Sequence, residues 1–144
     1  MNDICNLERF INAQERWYQI ALKEIENGKK CSHWMWFIFP QIDGLGLSPI
    51  SKMYSIKNSQ EAKDYLNHNI LGKRLIEITN TLMKLENRSV RNIFGSPDDL
   101  KLKSSMTLFK MISPDNEIFS DILVKYFNDE LCEYTKKRVN SFKI

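Results

Sequence analysis

His33, Asp98 and Lys101 are the side chains of this sequence best suited to chemistry. A histidine titrates near neutrality and can give or take a proton, an aspartate can activate water, and a lysine can stabilise developing negative charge. His33 lies in the run SHWMWFIFPQ at 32–41, which holds two of the three tryptophans, two phenylalanines and one of the two histidines. Trp34 and Trp36 present flat faces on which a ring can stack, and Gln41 adds a polar tip to the same patch. Asp98 and Lys101 lie in FGSPDDLKLKSSMTLF at 94–109, with Ser104 and Ser105.

On a helical wheel for 97–112, Leu100, Leu102, Leu108, Phe109, Met111 and Ile112 share one broad arc. Asp98, Lys101, Ser104 and Ser105 project from within it, while Asp99, Lys103 and Lys110 face the other way, with Asp99 and Lys103 spaced as a surface pair. A buried lysine or aspartate is costly unless it is paired or used on a ligand, so this pattern predicts a lined cavity. Structural roles compete. Asp98 can satisfy free N–H groups at the helix start, the serines can bond carbonyls one turn back, and Lys101 can lay its methylenes on the core and reach water. Gln14 poses the same question on the first helix, where its amide falls among Leu7, Trp17, Tyr18 and Ala21. His33 and both tryptophans can equally be core residues.

The elements that must position these groups read as helices. Between 7 and 27, Leu7, Phe10, Ile11, Trp17, Tyr18, Ala21, Leu22 and Ile25 fall on one arc, with Asn6 placed to cap the start and Gly28 to close the end. Ser32 can cap a short helix through the aromatic run, stopped by Pro40; a buried strand is the alternative. Gly44 and Gly46 mark a loop. Ser48-Pro49 opens a short helix, and Asn58 with Glu61 resembles a capping box for another. Further helices are predicted over 70–85, 89–94, 117–127 and 130–142, and Ser96-Pro97 should start the helix to 112. The reading is an all-α single domain over 1–144, with about seven or eight helices, several of them short. No repeat, linker or strand pair interrupts it.

Composition narrows the class. A chain of 144 residues, 42% hydrophobic and 27% charged, is a soluble globular type of domain size. The net charge of +3 is mild. Its basic runs, Lys29-Lys30 and Lys136-Lys137-Arg138, read as solvated helix ends, so a nucleic-acid partner is not expected. Cys5, Cys31 and Cys132 match no zinc spacing and read as reduced thiols, so neither a metal nor a cofactor is expected. No apolar run nears the roughly 20 residues of a membrane span, and the expected location is the cytoplasm.

Together these segments resemble an uncharacterised bacterial family, the domain of unknown function numbered eighteen-ten, whose members often carry an automatic calpastatin label. The resemblance covers roughly 7–127. It rests on ERF then AQ at 8–14, SHWMWFIFPQ at 32–41, GLG and a serine at 44–48, EA then YL and His68, IFGSPDDLKL at 93–102, and SSMTLF at 104–109. It implies a compact, mostly helical fold first seen in a mycobacterial member, and no agreed activity. The chain departs from the family at Lys103, where members carry arginine, and at Asn69, where they carry proline. A lysine offers a point charge in place of a bidentate fork.

These observations lead to a small-molecule site for a nucleotide-like ligand, an ADP-ribose or other N-glycosidic compound, bound or hydrolysed. Trp34 or Trp36 stacks on its ring, Lys101 supplies charge, and His33 or Asp98 activates water. The alternative is a non-enzymatic module whose aromatic patch docks a peptide or protein. No phosphate loop, zinc motif or nucleophile elbow assigns a standard enzyme class.

Overall fold

The computed structural model describes residues 6–142; Cys5 lies outside them. Among the described residues the chain forms nine helices: α1 (Glu8–Glu26), α2 (Met35–Ile38), α3 (Pro49–Met53), α4 (Ser59–Asn67), α5 (Leu71–Lys84), α6 (Val90–Phe94), α7 (Asp98–Ile112), α8 (Glu117–Phe127) and α9 (Glu133–Ser141). The sole extended pairing among them is an isolated parallel bridge between Ile42 and Ile56. The all-α expectation is therefore met.

Local chemistry accounts for most boundaries. The Ser48, Asn58 and Ser89 side chains accept the N–H of Ser51, Glu61 and Asn92, capping α3, α4 and α6. Gly28, at φ +76°, closes α1 in a left-handed turn. The last helix begins at Glu133, three residues later than expected, and three expected caps do not form. Asn6 does not cap α1; it takes φ +50° and its carbonyl accepts from Arg9. Ser32 does not cap α2, because its hydroxyl donates to Glu24 Oε2 (2.6 Å) and the helix begins three residues later. Ser96 makes no cap for α7, which starts at Asp98 after a cis Ser96–Pro97 peptide bond.

The buried residues form one contiguous core. α7 runs through it, packed against α4, α6, α8 and α9, while α1 lies on α2 and α5. All six residues at 104–109 are buried, so this helix has almost no solvent face along that stretch. That enclosure explains its polar side chains. Ser104 Oγ bonds Thr135 Oγ1 (2.8 Å) on α9, and Thr107 accepts the Cys132 N–H (2.9 Å).

Arg9 and Glu61 form an ion pair at 3.0 Å, with side chains only 7% and 4% exposed. Arg9 also donates to the carbonyls of Met53 and Ser55, and Glu61 accepts the Lys57 N–H. The pair thus pins the stretch at 53–57 between α1 and α4. Ile56 of that stretch bonds Gln41 and Asp43, which fixes the chain leaving the aromatic run.

Candidate functional site

A groove of about 570 Å³ opens between the end of the aromatic run, the first turns of α7 and the chain entering α9. Trp36, Gln41, Lys101 and Ser104 line it, joined by Leu45, Leu100 and Leu131. Lys103, Glu130, Cys132 and Glu133 complete one side. Most of the surface it exposes is apolar, with charges set along the walls.

The glycine loop is held in place from outside. Gly44 takes φ +104°, a backbone conformation that favours glycine, and a Cβ there would lie 1.9 Å from the Tyr134 hydroxyl, which would have to move. That hydroxyl donates to the Asp43 carbonyl (3.2 Å), and Asp43 also accepts from Ser55 (3.1 Å). A Cβ on Gly46 would meet the Ser51 hydroxyl at 2.3 Å, so this loop also packs tightly on α3. Leu45 and Gly46 reach the groove from this anchored base.

The two sequence segments do meet in space. The Lys101 ammonium lies 3.7 Å from the centroid of the Trp36 ring, a cation–π contact worth about 0.5–2 kcal/mol. It also donates to Asp98 Oδ1 (3.1 Å). The other carboxylate oxygen pairs with Lys30 (2.9 Å). Lys30 in turn donates to the Ser32 carbonyl and lies over the Trp34 ring. One carboxylate is therefore shared by two ammonium groups. Burial pushes the Asp98 carboxyl up, but the hydrogen bonds from Lys30 and Lys101 outweigh it and hold the group below the ordinary carboxylate range.

Glu24 anchors the aromatic run from α1. It accepts from the N–H groups of Cys31 (2.7 Å) and Ser32 (3.0 Å), the Ser32 hydroxyl, and the Trp34 indole N–H (2.9 Å). Burial again works upward, and the bonds from Ser32, Cys31 and Trp34 again prevail, leaving this carboxyl low. Both acids carry a pH dependence. A depressed folded-state value stabilises the fold fully above the unfolded carboxylate range, about pH 5 and higher. That contribution disappears as the pH falls through the depressed values. Urea midpoints measured from pH 7 to pH 3 should fall with acidification, and less steeply for Asp98→Asn. Equal slopes in the variant and the natural chain would remove Asp98 from this account.

The other expected residues fall in different places. Trp34 is fully enclosed, so it is not available for stacking. His33 is exposed, is not among the groove-lining residues, and makes no hydrogen bond within the described residues. Gln14 is buried and answered internally: its amide donates to the Phe37 carbonyl (2.7 Å) and the Tyr65 hydroxyl (2.9 Å), tying α1 to α2 and α4. Ser105 is fully buried, without a hydrogen-bond partner among the described residues.

Two lysine expectations are corrected. Lys30, read as a solvated helix end, has a side chain only 7% exposed. Lys103, read as outward, lines the groove and is as covered as Lys101, at 22% against 20% exposed. Its partner is Glu130 (3.7 Å), while Asp99 accepts the Leu100 N–H instead. Leu100, placed in the buried arc, is 60% exposed at the groove edge. Sequence reasoning also missed Leu45, Leu131 and Cys132. These carry no polar anomaly, and they reach the groove by tertiary packing alone.

Among the described residues no group of three or more His, Cys, Asp or Glu side chains is placed to hold a metal. No described helix is long and apolar enough to cross a membrane.

Fold and groove define an all-helical protein with an amphipathic surface cleft built around a lysine–tryptophan contact. Comparison places it more narrowly. Residues 4–139 match the model of the family described as Protein of unknown function (DUF1810), and the chain belongs to that family. The structure is similar to the crystal structure of the conserved hypothetical protein Rv1873 from Mycobacterium tuberculosis. The TM-score is 0.92 at 42% identity, over 99% of each chain. No curated protein matches the sequence.

Proposed function

We propose that the groove binds a small, flat, nucleotide-like ligand of the ADP-ribose or N-glycoside class. The observation carrying this reading is the Lys101 ammonium on the Trp36 ring, in the wall of a groove of about 570 Å³. Trp36, Leu45, Leu100 and Leu131 supply apolar surface for a base or sugar face, and Lys101 supplies a charge for an anionic group. Ser104, bonded to Thr135, closes the floor.

Binding is better supported than hydrolysis. Asp98 is held ionised by two ammonium groups, and a carboxylate of lowered basicity is a weak proton acceptor. His33 stands outside the groove lining. A second reading, the docking of a peptide, draws on Leu47, Ile50 and Met53, which are exposed and continue along the chain from Leu45.

Calorimetric titration with AMP and ADP-ribose tests the first reading. Lys101→Met is expected to weaken binding about 10–100-fold, the equivalent of one lost hydrogen bond to a charged group. Its stability should change by only about 0–1 kcal/mol, since Lys101 is partly exposed and Asp98 keeps Lys30. Neither compound binding at millimolar concentration rejects the small-ligand reading. A Lys101→Met protein that loses several kcal/mol while its affinity stays constant marks a purely structural ion pair.

A further inference from the structure

We propose that Lys30, which is not among the groove-lining residues, makes the groove select anionic over uncharged ligands by supplying the counter-charge of Asp98. The inference rests on the nucleotide-like reading above and assigns a specificity-determining role to a residue that touches no ligand.

An ammonium group has three N–H bonds. Lys30 meets Asp98 Oδ2 and the Ser32 carbonyl, and its ammonium lies 4.9 Å from the centroid of the Trp34 ring. Its side chain is almost closed to water and does not line the groove. Lys101 meets Asp98 Oδ1 and the Trp36 face, which leaves one N–H uncommitted in a residue that lines the groove.

Charge balance then decides what that N–H meets. Two ammonium groups face a single carboxylate, so the trio carries one positive charge in excess. Because Lys30 is buried and satisfied, the excess is expressed at Lys101. Without Lys30, Asp98 and Lys101 form a neutral pair and the groove loses its attraction for an anion. Lys103 does not substitute, because Glu130 faces it at 3.7 Å. Glu133 is exposed at the rim, where water and salt screen it.

The test compares AMP with adenosine, which share the base and sugar and differ in charge. The natural chain should bind AMP at least about tenfold more tightly. Lys30→Met should erase that preference by weakening AMP about tenfold while leaving adenosine unchanged. The double variant Lys30→Met/Asp98→Asn should restore the preference, because Lys101 then has no carboxylate to neutralise it. Restoration is the decisive arm, since a packing defect at position 30 would not be repaired by removing a charge at position 98. If Lys30→Met alone does not fold, the pair is read from Asp98→Asn, which should raise the AMP preference.

An unchanged AMP-to-adenosine ratio in Lys30→Met, or equal weakening of both compounds, overturns the role of Lys30 and leaves the groove as a binding site. An Asp98→Asn protein with an unaltered ratio overturns it as well. A natural chain that binds neither compound overturns both proposals together.

Discussion

Glu61→Ala is expected to destabilise the protein by about 3–5 kcal/mol, because it breaks a nearly closed ion pair and takes away a carboxylate that Arg9 bonds through two nitrogens. The guanidinium keeps its bonds to the carbonyls of Met53 and Ser55. The Lys57 N–H also loses its acceptor. The damage should extend to the groove, because the stretch this pair pins holds Ile56 against Gln41. Arg9→Met/Glu61→Leu should recover most of the loss, since it removes both desolvated charges and refills the space with apolar atoms. Urea unfolding of the single and double variants measures this. A Glu61→Ala protein within about 1 kcal/mol of the natural chain would show that water reaches the pair.

The same pair shows where sequence reading stops. Arg9 and Glu61 are 52 positions apart, and nothing local marks either as buried; Glu61 looked like a capping-box member. Elements set by local chemistry were legible: the apolar arc of α1, the helix starts at Ser48 and Asn58, the short helix at 89–94, and the glycine closing α1. Local caps failed where a distant acceptor competed, as Glu24 did for the Ser32 hydroxyl.

The wheel for α7 failed for a different reason. An amphipathic reading assumes one core face and one solvent face, but α7 is enclosed by four other helices. Its Ser104 and Thr107 are satisfied by α9 and the chain before it, Ser105 is enclosed without a hydrogen-bond partner among the described residues, and its lysines differ little in exposure. The wheel was right that Asp98 and Lys101 need partners. It could not name Lys30, which lies some seventy positions away. Of the candidate site, Trp36, Gln41, Lys101 and Ser104 were legible as groove residues, because each combined with a neighbouring anomaly in its own segment.

Trp34 and Trp36 provide the sharpest contrast available to experiment. They are two residues apart in one aromatic run, and composition treats them alike. Trp34 is fully enclosed, packed edge-on against Phe94 (6.3 Å between centroids), with its indole N–H on Glu24. Trp34→Ala should therefore cost about 3–5 kcal/mol through the cavity left behind, and it also leaves Glu24 short of one donor. Trp36 is half-buried in the groove wall beneath the Lys101 ammonium. Trp36→Ala should cost far less, about 1 kcal/mol, the scale of one cation–π contact and partial burial. Its effect on ligand should be the larger one, with AMP binding weakened at least about tenfold through loss of the apolar face. Trp34→Phe should sit between them in stability and keep the ligand affinity of the natural chain. Melting curves and AMP titrations on the three variants separate the roles. Comparable destabilisation by Trp36→Ala and Trp34→Ala, with binding retained in the folded fraction of both, would reduce the aromatic run to core packing and take Trp36 out of the site.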